Sequence, residues 1–316
     1  MNTIEQAARR LEQLRRAGVD VQDPAPAPAD ASPPPSATVA AAEPVAEAVA
    51  ARQGHETASP PAPSSYAASA SAEDRRSRDV TVDLLRMQRA GLLVPGQPRS
   101  QLEEEFRIVK RPLLENVRGQ GAMRPDRANL IMVTSALAGE GKTQTAINLA
   151  TSIAMELDHT VLLVEADVLR PSALERLGVQ ASKGLLDLLE FPQTQLSDVL
   201  LRTNIPKLTL LPAGTASSRS TELLASGAMN SLLNELASKY SDRIIIFDTP
   251  PLQSTTESRV LATHMGQVVM VIEANKTPIN IIKQAFATVE NHPVVMSMLN
   301  KYRGPKGSTA YGYYAP

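Results

Sequence analysis

Residues 135–143 read SALAGEGKT, and they stand between an apolar, β-rich run, Leu130–Thr134, and a helical pattern, Gln144–Met155. Strand, glycine-bearing loop and helix in that order make a phosphate-binding loop. Gly139 and Gly141 let backbone N–H groups approach an anion, and the helix start adds the positive end of its dipole. Lys142 is then placed to reach the β/γ-phosphates of ATP and Thr143 to bind Mg²⁺, with Ala138, Glu140 and Gln144 completing the nucleotide contacts. The first glycine of the usual pattern is Ala136 here.

A loop of this kind constrains the rest of the chain, because it needs a parallel sheet to present it. Short apolar runs near 129–134, 161–165, 208–212, 243–248, 267–272 and 294–299 alternate with helical patterns. That alternation predicts an α/β fold, a P-loop NTPase with a parallel-rich sheet flanked by helices. The loop's metal also needs carboxylates at neighbouring strand ends. Asp248 follows Ile244–Phe247 and opens DTPP, the place of a Walker B acid, while Glu165 and Asp167 end the run Val161–Val164 in VLLVEADVLRP. Lys142, Glu165, Asp167 and Asp248 are therefore the candidate catalytic residues, with Thr143, Asp167 and Asp248 as candidate metal ligands.

Composition removes several alternatives. A net charge of -1 over 316 residues gives no reason to expect nucleic acid as a partner. The absence of cysteine excludes disulfides, thiolate metal sites and a cysteine nucleophile. The apolar runs fall far short of the roughly 20 residues that span a bilayer, and the N-terminus lacks the unbroken apolar core of a signal peptide, so a cytoplasmic protein is expected.

Outside the sheet pattern, residues 1–20 read as a short amphipathic helix with a Thr3/Gln6 capping box and an apolar face through Ile4, Ala7, Leu11 and Leu14. Residues 21–75 are rich in Ala, Pro and Ser, and read as a disordered linker. The folded domain is expected over 76–302. It opens with a helical stretch Val80–Ala90 and a second helix from Ser100, boxed with Glu103, that ends before Pro112. Residues 303–316 form a Gly/Pro-bearing tail. Three of the chain's six tyrosines, Tyr311, Tyr313 and Tyr314, crowd into its last six residues, although aromatics make up only 3% of the chain. Exposed phenols behind an ATP-type loop suggest a kinase that phosphorylates itself. From Asn300 to Tyr311 the chain extends at most about 40 Å, enough to reach a neighbouring site where subunits sit side by side.

These motifs, in this order and spacing, resemble those of the bacterial tyrosine kinases of exopolysaccharide export, the CpsD/CapB group, and most closely the exosortase-associated tyrosine autokinases. The resemblance covers roughly residues 103–316 and the N-terminal helix. It rests on the loop, on VEADVLRP as the second Walker motif, where Glu165 replaces the family's usual Asp, on IIIFDTPP as Walker B, and on the tyrosine-rich tail. Its fold relatives are the ParA/MinD-like P-loop proteins. It implies autophosphorylation of Tyr311, Tyr313 and Tyr314 in trans, with Asp167 as the base that activates the phenol. Asn300, ending the last strand, would hydrogen-bond adenine. Glu104, Arg107 and Lys110 match an E-x-x-R-x-x-K motif that meets the next subunit of a ring.

The resemblance further implies an activating partner, a membrane polysaccharide copolymerase of the Wzz-type chain-length determinants, a resetting phosphatase, and attachment to the inner membrane through that partner. Two rival readings compete. A ParA/MinD-type partitioning ATPase would carry a signature lysine where Leu137 stands. A non-catalytic nucleotide-binding regulator of export would not need the intact set Lys142, Thr143, Asp167 and Asp248.

Overall fold

Runs such as Ile244–Phe247 carry no polar alternation, so as strands they must be covered on both faces, and helices on either side supply the cover. The computed structural model describes residues 77–119, 125–240 and 242–303. The expected helix at 1–20, the linker at 21–75 and the tyrosines Tyr311, Tyr313 and Tyr314 lie outside the described residues.

In chain order a short strand, β1 (Arg78–Val80), and helix α1 (Leu84–Arg89) precede the long helix α2 (Gln101–Arg118). Strand β2 (Leu130–Ser135) leads through the phosphate loop into α3 (Lys142–Ala154). Strand β3 (Thr160–Glu165) is followed by the short helices α4 (Ala173–Leu177), α5 (Leu185–Glu190) and α6 (Leu196–Val199). Strands β4 (Leu201–Thr203) and β5 (Leu208–Leu211) form a hairpin before α7 (Ser220–Leu224) and α8 (Gly227–Lys239). Strands β6 (Arg243–Asp248), β7 (Gln267–Glu273) and β8 (Val295–Asn300) then alternate with α9 (Thr256–His264) and α10 (Ile279–Ala287).

The eight strands lie in one sheet in the order β1-β4-β5-β3-β6-β2-β7-β8, parallel throughout except for β4 against β5. One face packs Ile131, Val133, Leu163 and Ile246 against Phe106 and Leu113 of α2 and Ile147 of α3. The other packs Met132, Leu162 and Phe247 against Leu233 and Leu236 of α8. Residues of α3 from Thr145 to Ala154 are buried all round, so the helix that begins at Lys142 is rooted in the core.

Three local expectations change. Val80 belongs to a strand rather than a helix, and the helix waits until Asp83, whose carboxylate accepts the Arg86 N–H at 2.9 Å as an N-cap. Strands β1 and β4 are three residues each, too short to show alternation in the sequence. Helix α2 also runs through Pro112 to Arg118 and stops at Gly119 in the left-handed region, φ 72°. Pro112 removes only the bond to the Ile108 carbonyl, and Ile108 lies on the exposed side, where water can replace it.

The E-x-x-R-x-x-K face is also split. Glu104 and Arg107 are exposed and pair with each other at 3.2 Å. Lys110 is only 7% exposed: its ammonium donates to the Ser152 carbonyl at 2.7 Å and pairs with Glu156 at 2.6 Å, closing the C-terminal turn of α3. That contact holds the Glu156 carboxyl below its usual range. Lys110 is thus engaged inside its own chain, since i+6 turns a side chain toward the core that i and i+3 leave. Lys110→Met should lower the unfolding free energy by about 1–3 kcal/mol, because a buried carbonyl and a carboxylate lose their donor. Replacing Glu104 and Arg107 together by Ala should cost less than about 1 kcal/mol, as for other surface pairs. Urea unfolding of both variants measures the difference.

Candidate nucleotide site

The carboxyl ends of β2, β3 and β6 are adjacent, and the loops that leave them form one crevice. The loop after β2 turns through Gly139 at φ 88° and Gly141 at φ 103°, both in the left-handed region. At Gly141 space as well as conformation demands glycine, because a Cβ there would lie 2.1 Å from the Asn300 side-chain amide. Glu140 does not face the cavity. Its carboxylate, 2% exposed, accepts the N–H of Leu137 at 2.7 Å and of Glu273 at 3.3 Å, together with the Thr277 hydroxyl, and so ties the loop to the end of β7.

Lys142 is the first residue of α3 and its buried ammonium sits on Asp167 Oδ2 at 2.6 Å, with Asp248 Oδ1 at 3.9 Å. Asp167 is held in turn by the Arg170 N–H on Oδ1 at 3.2 Å. Asp248 has no exposed surface, and neither of its oxygens has a hydrogen-bond partner among the described residues. Burial pushes its carboxyl up to about 7; the Lys142 charge opposes that rise, while Asp167 and Glu165 add to it. Two orphaned carboxylate oxygens beside Thr143 and a second carboxylate suit a hard, oxygen-seeking cation, and Mg²⁺ bound together with phosphates typically takes only one or two carboxylates from its protein.

A cavity of about 720 Å³ opens above this group. Of the expected site residues, Ala138, Gly139, Gly141, Lys142, Thr143, Gln144 and Asp167 line it. Gln144 also donates to the Gly91 carbonyl at 3.3 Å. Asn300 lies against the loop, and its side-chain amide donates to the Glu140 carbonyl at 2.8 Å.

Glu165 points elsewhere. One oxygen accepts the N–H groups of Ala173 at 2.7 Å and Leu174 at 3.2 Å, the first turn of α4, and the other accepts the Ala213 N–H at 3.4 Å. It caps α4, and its charge reaches the centre only through the field it exerts on neighbouring Asp248. Residues not singled out from sequence also line the cavity: Arg170 and Pro171 in the run after Asp167, Pro250 and Pro251 after Asp248, and Lys301 after Asn300. Each directly follows or lies close to a residue the motifs did identify, which was the available signal.

A lysine at the helix start behind a glycine loop, with acids at the ends of two neighbouring strands, defines a phosphate-loop nucleotide-binding domain. The chain belongs to the AAA domain family, which matches residues 128–298. Its relatives are bacterial tyrosine kinases. It is 28% identical over 225 residues to the putative tyrosine-protein kinase CapB of Staphylococcus aureus, covering 71% of this chain and 94% of that protein. It is 29% identical over 232 residues to the tyrosine-protein kinase YwqD of Bacillus subtilis, covering 72% and 92%. Among solved structures, the VpsO kinase domain superposes with a TM-score of 0.53 at 27% identity, over 63% of this chain and 96% of that one. The chimerical protein CapA2B2 superposes at 0.56 and 24% identity, a likeness of fold, over 70% and 93%.

The raised carboxyl of Asp248 has a consequence for stability. A native state that keeps the proton up to about pH 7, against an ordinary value of 3.8, loses stability as pH climbs through that window. In metal-free protein, Asp248→Asn should therefore gain on the wild type between pH 4 and pH 7, by on the order of 3 kcal/mol. Urea titrations at the two pH values would show the gap widen.

Proposed function

We propose that the chain is an ATP-dependent protein-tyrosine autokinase that phosphorylates Tyr311, Tyr313 and Tyr314 of a sister subunit. The observation that carries this reading is the root of the tail. Strand β8 ends with Asn300 bonded to the phosphate loop and Lys301 lining the cavity, so the tyrosine-bearing segment starts at the rim of the nucleotide site. The names of the relatives support the same reaction.

In this reaction the tyrosine Oη forms a bond to the γ-phosphorus, the bond to the bridging oxygen of ADP breaks, and the phenolic proton passes to a carboxylate. Lys142 exchanges its contact with Asp167 for the β/γ-phosphate oxygens and offsets the charge that develops there. Asp167, released from Lys142, takes the phenolic proton. Thr143, Asp248 and Asp167 would hold Mg²⁺, whose chemistry is to neutralise phosphate charge and align the transferred group. Glu165 acts by fixing the start of α4, a positioning role rather than proton transfer.

Within this proposal, Asn300 and the cavity serve an oligomer whose contacts include the exposed pair Glu104 and Arg107. The subgroup is that of the exosortase-associated autokinases, and the setting is polysaccharide export, as for the relative named succinoglycan biosynthesis transport protein ExoP of Rhizobium meliloti. The activator is a membrane copolymerase that brings this cytoplasmic kinase to the inner membrane, and a phosphatase resets the tail.

The trans reaction is tested by mixing a tail-less active chain with a full-length Asp167→Asn chain and mapping phosphate by mass spectrometry. Phosphate should appear on Tyr311, Tyr313 and Tyr314 of the inactive partner; an unlabelled partner in the mixture, while active full-length chain run separately labels its own tail, would show a reaction within one chain. The part assigned to Glu165 has its own test: Glu165→Gln, which keeps an acceptor for α4, should retain most of the wild-type rate, while Asp167→Asn should lose at least about 100-fold. Equal losses would return Glu165 to the chemistry.

A further inference from the structure

The phosphate loop is gripped from one side by the residues that end β8. The Lys301 ammonium donates to the Gly139 carbonyl at 2.5 Å, and the Asn300 amide donates to the next carbonyl, that of Glu140, at 2.8 Å. Lys301 is itself anchored by Glu273 at the end of β7, at 3.1 Å. Its backbone sits in the left-handed region, φ 57°, and its N–H donates to the Asn300 side-chain oxygen at 2.9 Å, so the Asn300 side chain is fixed to the Lys301 backbone.

A trans peptide is planar, with its carbonyl and the following N–H pointing in opposite directions. Pinning the Gly139 carbonyl toward β8 therefore turns the Glu140 N–H away from β8. Pinning the Glu140 carbonyl does the same to the Gly141 N–H. Both N–H groups belong to the loop that bounds the 720 Å³ cavity, and consecutive N–H groups pointing one way form an anion-binding nest.

We propose that Asn300 and Lys301 are positioning residues that aim two consecutive loop amides at the phosphates, with Glu273 as the anchor of Lys301. This rests on reading the cavity as the ATP-phosphate site. It gives Asn300 a task different from contact with adenine, and it makes the β8 end part of the phosphate machinery. Because the loop is set before the ligand arrives, less of the binding free energy goes into ordering it.

The two tasks for Asn300 separate by ligand. Titration calorimetry with MgADP and with magnesium pyrophosphate, which has no base, should show Asn300→Ala and Lys301→Ala weakening both ligands by the same factor, roughly 3- to 10-fold for each residue. Lys301→Arg, which keeps a cationic donor, should recover most of the loss. Glu273→Gln removes a negative charge beside an anion site, so a simple field effect would tighten binding, whereas loss of the anchor should weaken it. Unchanged pyrophosphate affinity in Asn300→Ala and Lys301→Ala, or tighter binding in Glu273→Gln, would overturn the inference. A wild-type protein that binds neither ligand would instead overturn the nucleotide-site reading beneath it. Thermal melting of each variant establishes that the fold is retained.

Discussion

The ammonium of Lys142 rests between two acids with different surroundings, and the rest of the site is arranged about that contact. Asp167 at 2.6 Å is at the cavity wall, while Asp248 at 3.9 Å is wholly buried and lacks any hydrogen-bond partner among the described residues. A buried carboxylate without a donor costs far more than a surface one, a cost offset by a retained proton or by a nearby cation. The ammonium supplies that partner in the free protein. Incoming phosphates and their metal would take over both halves of the arrangement, the phosphates drawing Lys142 and the metal occupying the carboxylates.

The sheet places these groups on the ends of neighbouring strands. Register alone sets Glu165 beside Asp248 on adjacent strands, and Val133 beside Asp248 on the other side, so the loop after β2 and the acid ending β6 must share a crevice. The burial of α3 from Thr145 to Ala154 roots the helix that begins at Lys142 in the core. The β7 and β8 ends then close the loop from behind through Glu140, Asn300 and Lys301. Function is thus set by strand ends, while the strand middles supply the core.

Features with a local cause were legible in the sequence. The loop, its flanking strand and helix, and the six longer strands each carry their own pattern of glycine, lysine or uninterrupted apolar residues. What escaped depends on partners distant in sequence. Whether an acid after a strand meets a metal or a helix start cannot be read from its neighbours: Glu165 meets amides eight, nine and 48 positions on. Lys110 looks like one more cation of an exposed face until Ser152 and Glu156 are found beneath it. Pro112 reads as a stop because propensity speaks only of the lost bond, whereas the packing of Leu113, Leu114 and Val117 carries α2 another turn and more.

In the proposed reaction Lys142 leaves its acid partner to hold the transferring phosphate. The most direct measurement is incorporation of label from γ-labelled ATP by Lys142→Met protein whose melting and near-ultraviolet spectra match the wild type, alongside its affinity for MgATP. Phosphotyrosine should not rise above background, and MgATP binding should weaken by roughly 10- to 100-fold, the range expected for loss of a charge-assisted hydrogen bond to phosphate. A folded Lys142→Met protein that binds MgATP and phosphorylates tyrosine at the wild-type level would contradict it.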